Sequence, residues 1–409
     1  MRIPIIMMTI LIALSLVVDG AVWLFLRRTY PQQTKVRRGY LWSAIACWIF
    51  LAVILCLPRR GESSILPVMW CLYGYLTIYI SKIIYAVIAW VMTIPMLWGM
   101  RTARLGSTIA LPVGVIVFLI MWWGALFGRQ GIEVNYFDMR SEKIPASFNG
   151  YRIVQFSDAH VGTWGADTTF VSRFVDQINA LNPDLILFTG DIVNRESEEL
   201  RPFLNVLSRL HAKDGVYSVL GNHDYGMYRE WNSEAQRDSD VMQLNRWQEK
   251  MGWRVLNNEH NFIARGRDSI AIIGVENWGE PPFGQMGDLD KAYPRAGEGY
   301  HHQQDSLFKV LLSHNPKHWN QVVSRKSNID LTLAGHTHAM QFMINIGNWK
   351  WSPAMYKYDQ WAGDYTRPGV DGKPVTCYVN VGSGEVGMPF RIGATPEITL
   401  ITLSTPTGK

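Results

Sequence analysis

Five short blocks of this 409-residue chain carry residue types that together could hold two divalent cations: Asp158-Ala159-His160, Gly190-Asp191, Gly221-Asn222-His223-Asp224, His314 and Gly335-His336-Thr337-His338. Two such ions a few Å apart take hard oxygen and imidazole donors, with one carboxylate able to bridge them. Asp158 and His160, two residues apart, can reach one ion together, and Asp191 is placed to bridge. Asn222 offers an amide oxygen to the second ion, His314 and His336 complete it, and His338 returns to the first. His223 directly follows a ligand and points the other way along its loop, which makes it the candidate acid or charge stabiliser. Asp224 reads as turn support, because other residues already fill the primary sphere. A lone Asp-x-His or Gly-Asp means little, but five of the ten histidines fall in these blocks in order.

Each block follows a short apolar run that reads as a buried strand: 151–157, 184–188, 215–220, 308–312 and 331–333. Such strands would deliver their polar residues to the same edge of a sheet. Between the first three lie an amphipathic helix at 168–181, with Phe170, Phe174, Ile178 and Leu181 on one side and Asp167 as its N-cap, and a further helix at 198–210. That alternation predicts parallel βαβ units. After a polar, Trp-containing stretch at 225–253 the pattern turns strand-rich, with further runs at 269–275, 376–381 and 397–403. The natural architecture is two packed sheets with helices outside. Gly190, Gly221 and Gly335 each precede a ligand, where the backbone must turn sharply without a Cβ in the way.

The first 130 residues are a different material, overwhelmingly apolar. Runs at 3–26, 40–57, 65–99 and 105–128 are long enough to span a bilayer. The 35 apolar residues of 65–99 read as one long helix, because no Gly, Pro or Asn near Ser81 offers the turn that two spans would need. The domain division is therefore 1–130 transmembrane, 131–150 linker and edge strand, and 151–409 the globular domain. Asp19 and Lys82 are charges inside spans, to be read as an ion pair or substrate contact between helices, or as residues facing a watery crevice. Arg27, Arg28, Lys35, Arg37, Arg38, Arg101 and Arg104 on one side outnumber Arg2, Arg59, Arg60 and Arg129 on the other, which puts the globular domain outside the cytoplasm. An odd number of spans would reverse that. A net charge of +5 with scattered Lys and Arg does not suggest nucleic-acid binding. Four cysteines, three of them in the apolar third, build neither a disulfide framework nor a thiolate metal site.

The ordered blocks resemble the calcineurin-like metallophosphoesterases, and residues 151–403 resemble their membrane-associated bacterial branch. The matching text is Ser157-Asp158-Ala159-His160-Val161-Gly162, Thr189-Gly190-Asp191-Ile192-Val193-Asn194, Gly221-Asn222-His223-Asp224, Leu312-Ser313-His314-Asn315-Pro316, Gly335-His336-Thr337-His338 and the tail from Gly387 to Leu400. The resemblance implies an α/β (α+β) four-layer sandwich, two mixed β-sheets flanked by helices, here preceded by about four transmembrane helices. It also implies the ligand roles given above, two divalent ions (Mn, Fe, Zn or Mg), and catalysis by His223 and Asp191. That branch commonly follows Gly-His-Thr-His with Gly-Gly-Gln, whereas this chain has Ala339-Met340-Gln341. The departure leaves the ligands intact and bears on the pocket rim.

The resulting expectation is a multi-pass protein of a bacterial inner membrane, catalytic domain extracytoplasmic, that hydrolyses phosphate esters or pyrophosphates. Its partners are the bilayer and a phosphorylated, lipid-borne substrate. A cytoplasm-facing nucleotide-lipid pyrophosphatase of the UDP-diacylglucosamine type stays open, as does a membrane sensor or transporter with a regulatory metal-binding domain. Arg195 and Arg391 are candidate phosphate clamps, with structural ion pairs as the alternative. His301-His302 are substrate contacts or a solvated loop. Trp231, Trp247, Trp253 and Trp278 line a lipid-facing lip or pack locally.

Overall fold

The computed structural model describes residues 5–57, 66–98, 100, 102–280, 284–295, 306–347 and 349–406, so His301, His302, Arg59, Arg60 and Arg101 lie outside the described residues. The chain forms two compact units, one made of the first 127 residues with Gly387–Phe390, the other running from Gly128 onward.

The first unit is built from α1 (Ile5–Thr29), α2 (Thr34–Cys56), α3 (Leu66–Val91) and α4 (Ala103–Leu126). Each is long and apolar enough to cross a membrane. The 65–99 run is one helix that ends in a tight turn at Ile94–Trp98, not a hairpin. Helix α3 packs on each of the other three. Its closest neighbour is α4, whose Gly106, Ala110 and Gly114 recur every fourth residue on the contact side. A Cβ at Gly114 would sit 3.2 Å from the Ser81 carbonyl and one at Gly106 would sit 2.6 Å from the Met92 Cβ. Small residues let helix backbones approach where lipid supplies no hydrophobic drive. Of the two readings, Asp19 and Lys82 take the ion pair, at 2.9 Å, and the carboxylate also accepts from Tyr40 Oη (2.7 Å), Tyr79 Oη (2.8 Å) and Trp48 Nε1 (3.0 Å).

The second unit is a sandwich of two mixed six-stranded sheets. Strands β1 (Glu133–Arg140), β2 (Tyr151–Phe156), β3 (Leu185–Phe188), β4 (Val216–Ser218), β5 (Trp253–Val255), β6 (Glu259–Arg265) and β7 (Asp268–Gly274) are followed by β8 (Phe308–Leu312) and β9 (Leu331–Ala334). The hairpin β10 (Ile344–Ile346) and β11 (Trp349–Trp351) stands apart, and β12 (Gly363–Pro368), β13 (Pro374–Val379) and β14 (Glu397–Ser404) complete the set. One sheet has the order β1-β14-β2-β3-β4-β5, the other β12-β13-β9-β8-β7-β6. In the first, β2 to β5 are parallel; in the second, β13, β9, β8 and β7 are. The 131–150 segment is integral to this unit, since β1 pairs along its whole length with β14.

Alternation along β2 explains the layers. Ile153 faces the other sheet, among Leu185, Leu187, Ile270, Ile272, Val310 and Leu331, while Val154 and Phe156 face outward onto Phe174 and Ile178 of α5 (Thr169–Ala180). Asp167 Oδ1 accepts from the Thr169 N–H at the head of α5, as expected of a capping residue. The outer face of the second sheet buries Ala271, Ile273 and Leu311 under Trp319 and Val323. Parallel strands covered on both faces read as continuous apolar runs, which is why the sequence marks them clearly.

Two elements differ from expectation. The helix at 198–210 is a tight 3₁₀ stretch, Ser197–Phe203, leading into one turn of α6 (Leu204–Leu207); Pro202 lacks the N–H that a regular helix needs there. The polar stretch at 225–253 contains the 17-residue helix α7 (Glu234–Lys250), capped by Ser233, whose side chain accepts from the Gln236 N–H. It buries only Leu244 and Gln248 fully, so it has no apolar stripe to betray it.

Candidate metal centre

The five sequence blocks all emerge from the C-terminal ends of parallel strands, three from one sheet and two from the other. Asp158 and His160 follow β2, Asp191 follows β3, Asn222 and His223 follow β4, His314 follows β8, and His336 and His338 follow β9. The sandwich thus folds 180 residues of sequence separation into one cluster of buried donors. The turns that do this are strained. Asp158, His160, Asp191, His336 and His338 have φ of 51, 39, 60, 72 and 51°, a region costing non-glycine residues on the order of 1–3 kcal/mol each. A Cβ at Gly221 would strike the Asp191 carboxylate and one at Gly335 the Asp158 carboxylate, so glycine before Asn222 and before His336 is a packing requirement.

His160 Nε2 and His338 Nε2 lie 3.2 Å apart, and His338 Nε2 is 3.2 Å from Asp158 Oδ1. On the other side His314 Nε2 is 3.2 Å from both Asn222 Oδ1 and His336 Nδ1. Asp191 Oδ2 stands between the groups, 3.7 Å from His160 Nε2 and 3.1 Å from His314 Nε2. Donor atoms on a cation with bonds near 2.1 Å are separated by roughly 3.0 Å in octahedral and 3.4 Å in tetrahedral arrangement. Five of these six separations have that length, and the His160–Asp191 edge is longer at 3.7 Å. Three overlapping sets could hold a metal ion: Asp158, His160 and His338; His160, Asp191 and His223; Asp191, His314 and His336.

Electrostatics point the same way. Burial opposes charge on His314, yet the carboxylates of Asp191 and Asp158 outweigh it and lift the ring to about 9. Burial likewise opposes ionisation of Asp191, while His314 and His223 hold its carboxyl well below the usual range. His336 is pushed down to about 3 by burial and by the neighbouring His314. Such a cluster recruits positive charge to its centre, and a divalent ion satisfies both carboxylates at once.

The surrounding protein orients each ring. His160 Nδ1 faces the Val193 carbonyl at 3.1 Å and His314 Nδ1 the Thr189 carbonyl at 2.8 Å, which fixes the other ring nitrogen toward the cluster. Asp224 accepts the backbone N–H groups of Gly221, Asp191, Ile192 and Val193, tying two loops together, as its sequence context indicated. His223 donates Nδ1–H to the Asn194 carbonyl at 2.7 Å and stacks on Tyr228, centroids 3.9 Å apart and planes 14° from parallel.

Both candidate clamps are engaged by groups of the protein itself, Arg195 in the ion pair that is its alternative reading. Arg391 is fully buried, and its guanidinium donates to the carbonyls of Gly384, Ala394 and Val381 and abuts His338 Nδ1 at 3.2 Å. It braces the loop behind His338 and is not available to a substrate. Arg195 is engaged by Glu199, backbone N–H and side chain alike. Of the tryptophans, Trp253 and Trp278 are buried: Trp253 packs on Phe156 and Phe188, and Trp278 stacks on His318. Trp231 donates to the Gly226 carbonyl, and Trp247 packs on the core beneath α7.

Two tyrosines escaped the sequence reading. Tyr228 Oη accepts from Asn222 Nδ2 (2.8 Å), and Tyr358 Oη meets His336 Nε2 (3.1 Å). Both line a cleft of about 200 Å³ beside the cluster, with Asn277, Asn315, Glu280 and Lys357. No spacing rule links Tyr358 to the glycine-histidine block 22 residues earlier.

Residues 151–340 match the family model described as calcineurin-like phosphoesterase. A Danio rerio transmembrane protein with metallophosphoesterase domain is 28% identical over 304 residues, covering 71% of this chain and 61% of that protein. A metallophosphoesterase of Bacillus subtilis is 28% identical over 277 residues, covering 66% and 85%. A UDP-2,3-diacylglucosamine pyrophosphatase of Chlamydia muridarum is 33% identical over 274 residues, covering 58% and 79%. The chain spans less than two thirds of the length of the vertebrate transmembrane relatives, 61% and 64%.

Proposed function

This chain belongs to the calcineurin-like phosphoesterases, and on that premise we propose that it is a membrane-anchored hydrolase of a phosphate ester or pyrophosphate bond in a lipid-borne substrate. The observation that carries the reading is the convergence of seven donors from five strand ends, with Asp191 between the two halves. Asp158, His160, Asp191 and His338 would hold one divalent ion, and Asp191, Asn222, His314 and His336 the other. When bound, the ions supply charge stabilisation at phosphoryl oxygens and lower the pKa of an attacking water.

The chain's own residues do the rest. The Asn194 carbonyl holds one proton on His223 Nδ1, so in the imidazolium form the second proton, on Nε2, is the one given to the departing oxygen, leaving a neutral ring that keeps Nδ1–H. Tyr228 holds that ring flat, and its hydroxyl turns the Asn222 amide so that the carbonyl oxygen faces His314. The small cleft admits a phosphoryl group flanked by Lys357. Four apolar helices tether the site to a bilayer, which favours an amphiphilic substrate with its phosphorylated head in water.

A second reading, cleavage of a nucleotide-lipid pyrophosphate, is favoured by the Chlamydia relative. It needs the sandwich in the cytoplasm, opposite to the orientation that the Lys and Arg bias favours. The full chain should hydrolyse members of a phospholipid and nucleotide-lipid panel when supplied with Mn, Zn, Fe or Mg, and Asp191→Asn and His223→Ala should each lose turnover while still inserting. Wild-type turnover from either variant removes the assignment. A C-terminal reporter active only in the cytoplasm selects the nucleotide-lipid reading.

A further inference from the structure

The helical unit holds a cavity of about 590 Å³, within the size range of ligand pockets, walled by all four helices. Its lining is graded by depth. The α1–α2 turn, where Tyr30 and Gln33 line one end, carries Arg27, Arg28, Lys35, Arg37 and Arg38, and no acidic residue occurs between Gly20 and Gly61. Four of the five basic side chains are exposed, Arg37 being half-buried. At 1.5 Å per residue, Tyr40 lies ~9 Å from the start of α2 and Lys82 ~14 Å from the end of α3, so a polar row with Ser43 and Ser81 sits one level below the basic turn. Phe118, ~22 Å along α4, belongs with Ile78 and Val115 to an apolar wall deeper still.

Lys82 is under-used by its own pair. Both Asp19 oxygens already accept two donors each, and among the described residues the Lys82 ammonium meets one oxygen acceptor, with the Cys47 sulfur at 3.8 Å and the Tyr79 ring at 4.5 Å. An ammonium has three donors, and this one lines the cavity. Cation, then hydrogen-bond donor, then hydrocarbon is the order of phosphate, ester oxygen and acyl chain in one lipid.

We propose that the helical unit binds one anionic glycerophospholipid, its phosphate on the Arg27–Arg38 turn, an ester oxygen at Lys82, and one chain along Ile78, Val115 and Phe118. The site is independent of the hydrolytic centre. The test uses the full chain in detergent, equilibrated with phosphatidylglycerol or phosphatidylcholine of identical chains, with retained lipid counted by native mass spectrometry. One phosphatidylglycerol should be retained, about tenfold in preference to phosphatidylcholine, since each surface cation adds to the attraction. Val115→Trp, which fills the chain path, should lower retention about tenfold, and Lys35→Gln with Arg38→Gln should erase the head-group preference. Equal retention of the two lipids, or unchanged retention by Val115→Trp, overturns the proposal. Should that variant fail to fold, phosphatidylglycerol with a photoreactive acyl chain decides on the unmodified protein. Crosslinks to Val115 and Phe118 support the site, and crosslinks confined to exposed residues that do not line the cavity, such as Leu14, Val17 and Ile49, overturn it.

Discussion

The two units bury polar clusters of opposite kinds. In the helical unit, Asp19 is complete: four donors surround its two oxygens, one of them the cation that neutralises it. In the sandwich, Asp158 and Asp191 face imidazoles whose nitrogens face one another at 3.2 Å, and among the described residues neither carboxylate is paired with a lysine or arginine. A closed cluster fixes helices against one another; an open one presents facing donor atoms of the kind that cations bridge. The strain has the same distribution, since every positive φ at a non-glycine residue falls in the sandwich among the described residues, and half of them at candidate metal-ligand positions.

If the Asp19 carboxylate is closed, breaking its cluster should hurt folding of the helical unit and leave the sandwich unaffected. Asp19→Asn leaves Lys82 without its counter-charge and should destabilise the helical unit by about 3 kcal/mol, read as thermal unfolding in detergent. Metal binding by the sandwich should not change. Asp19→Asn combined with Lys82→Met should recover most of the loss, and failure to recover would show that the pair serves more than packing.

A histidine of the same sandwich that lies outside the open cluster should behave as a plain buried base. His318 stacks on Trp278, meets Ser313 Oγ at 2.9 Å, and is pushed down to about 4 by burial. A folded pKa below the ordinary 6.5 means the unfolded chain binds the extra proton first, so stability falls as pH drops from 6.5 toward 4. The loss should approach ~3 kcal/mol, and His318→Gln should flatten that part of the stability curve.

Smaller effects refine the open cluster. Tyr228→Phe removes the hydroxyl that orients Asn222 and should weaken metal binding about tenfold, measured by competition with a chelator. Ala339 and Met340 hold φ of 47 and 48°, in the left-handed region that favours glycine. Met340→Gly should stabilise the sandwich by about 1 kcal/mol with turnover unchanged, and lost turnover would show that the strained rim shapes the site.

The sequence made the centre legible because metal ligation constrains residue type as well as position. Short motifs after apolar runs named the residues that the fold brings together, and full burial of the parallel strands made those runs visible. What stayed hidden had no such double constraint. Helix α7 lacks an apolar stripe, Tyr228 and Tyr358 reach the site by tertiary folding alone, and Arg391 looked like a phosphate clamp because sequence cannot show that its guanidinium is spent on three carbonyls. The Asp19–Lys82 pair was suggested by two charges inside apolar runs, but its tyrosine and tryptophan partners were not.

The central claim is that the open cluster is completed by two cations sharing Asp191. Elemental analysis of the purified full chain, after exposure to Mn or Zn and removal of loosely bound ion, tests it most directly. Two ions per chain are expected for the wild type, with Asp191→Asn holding one or none while keeping its fold. A wild-type chain that holds a single ion, or an Asp191→Asn chain that still holds two, contradicts it.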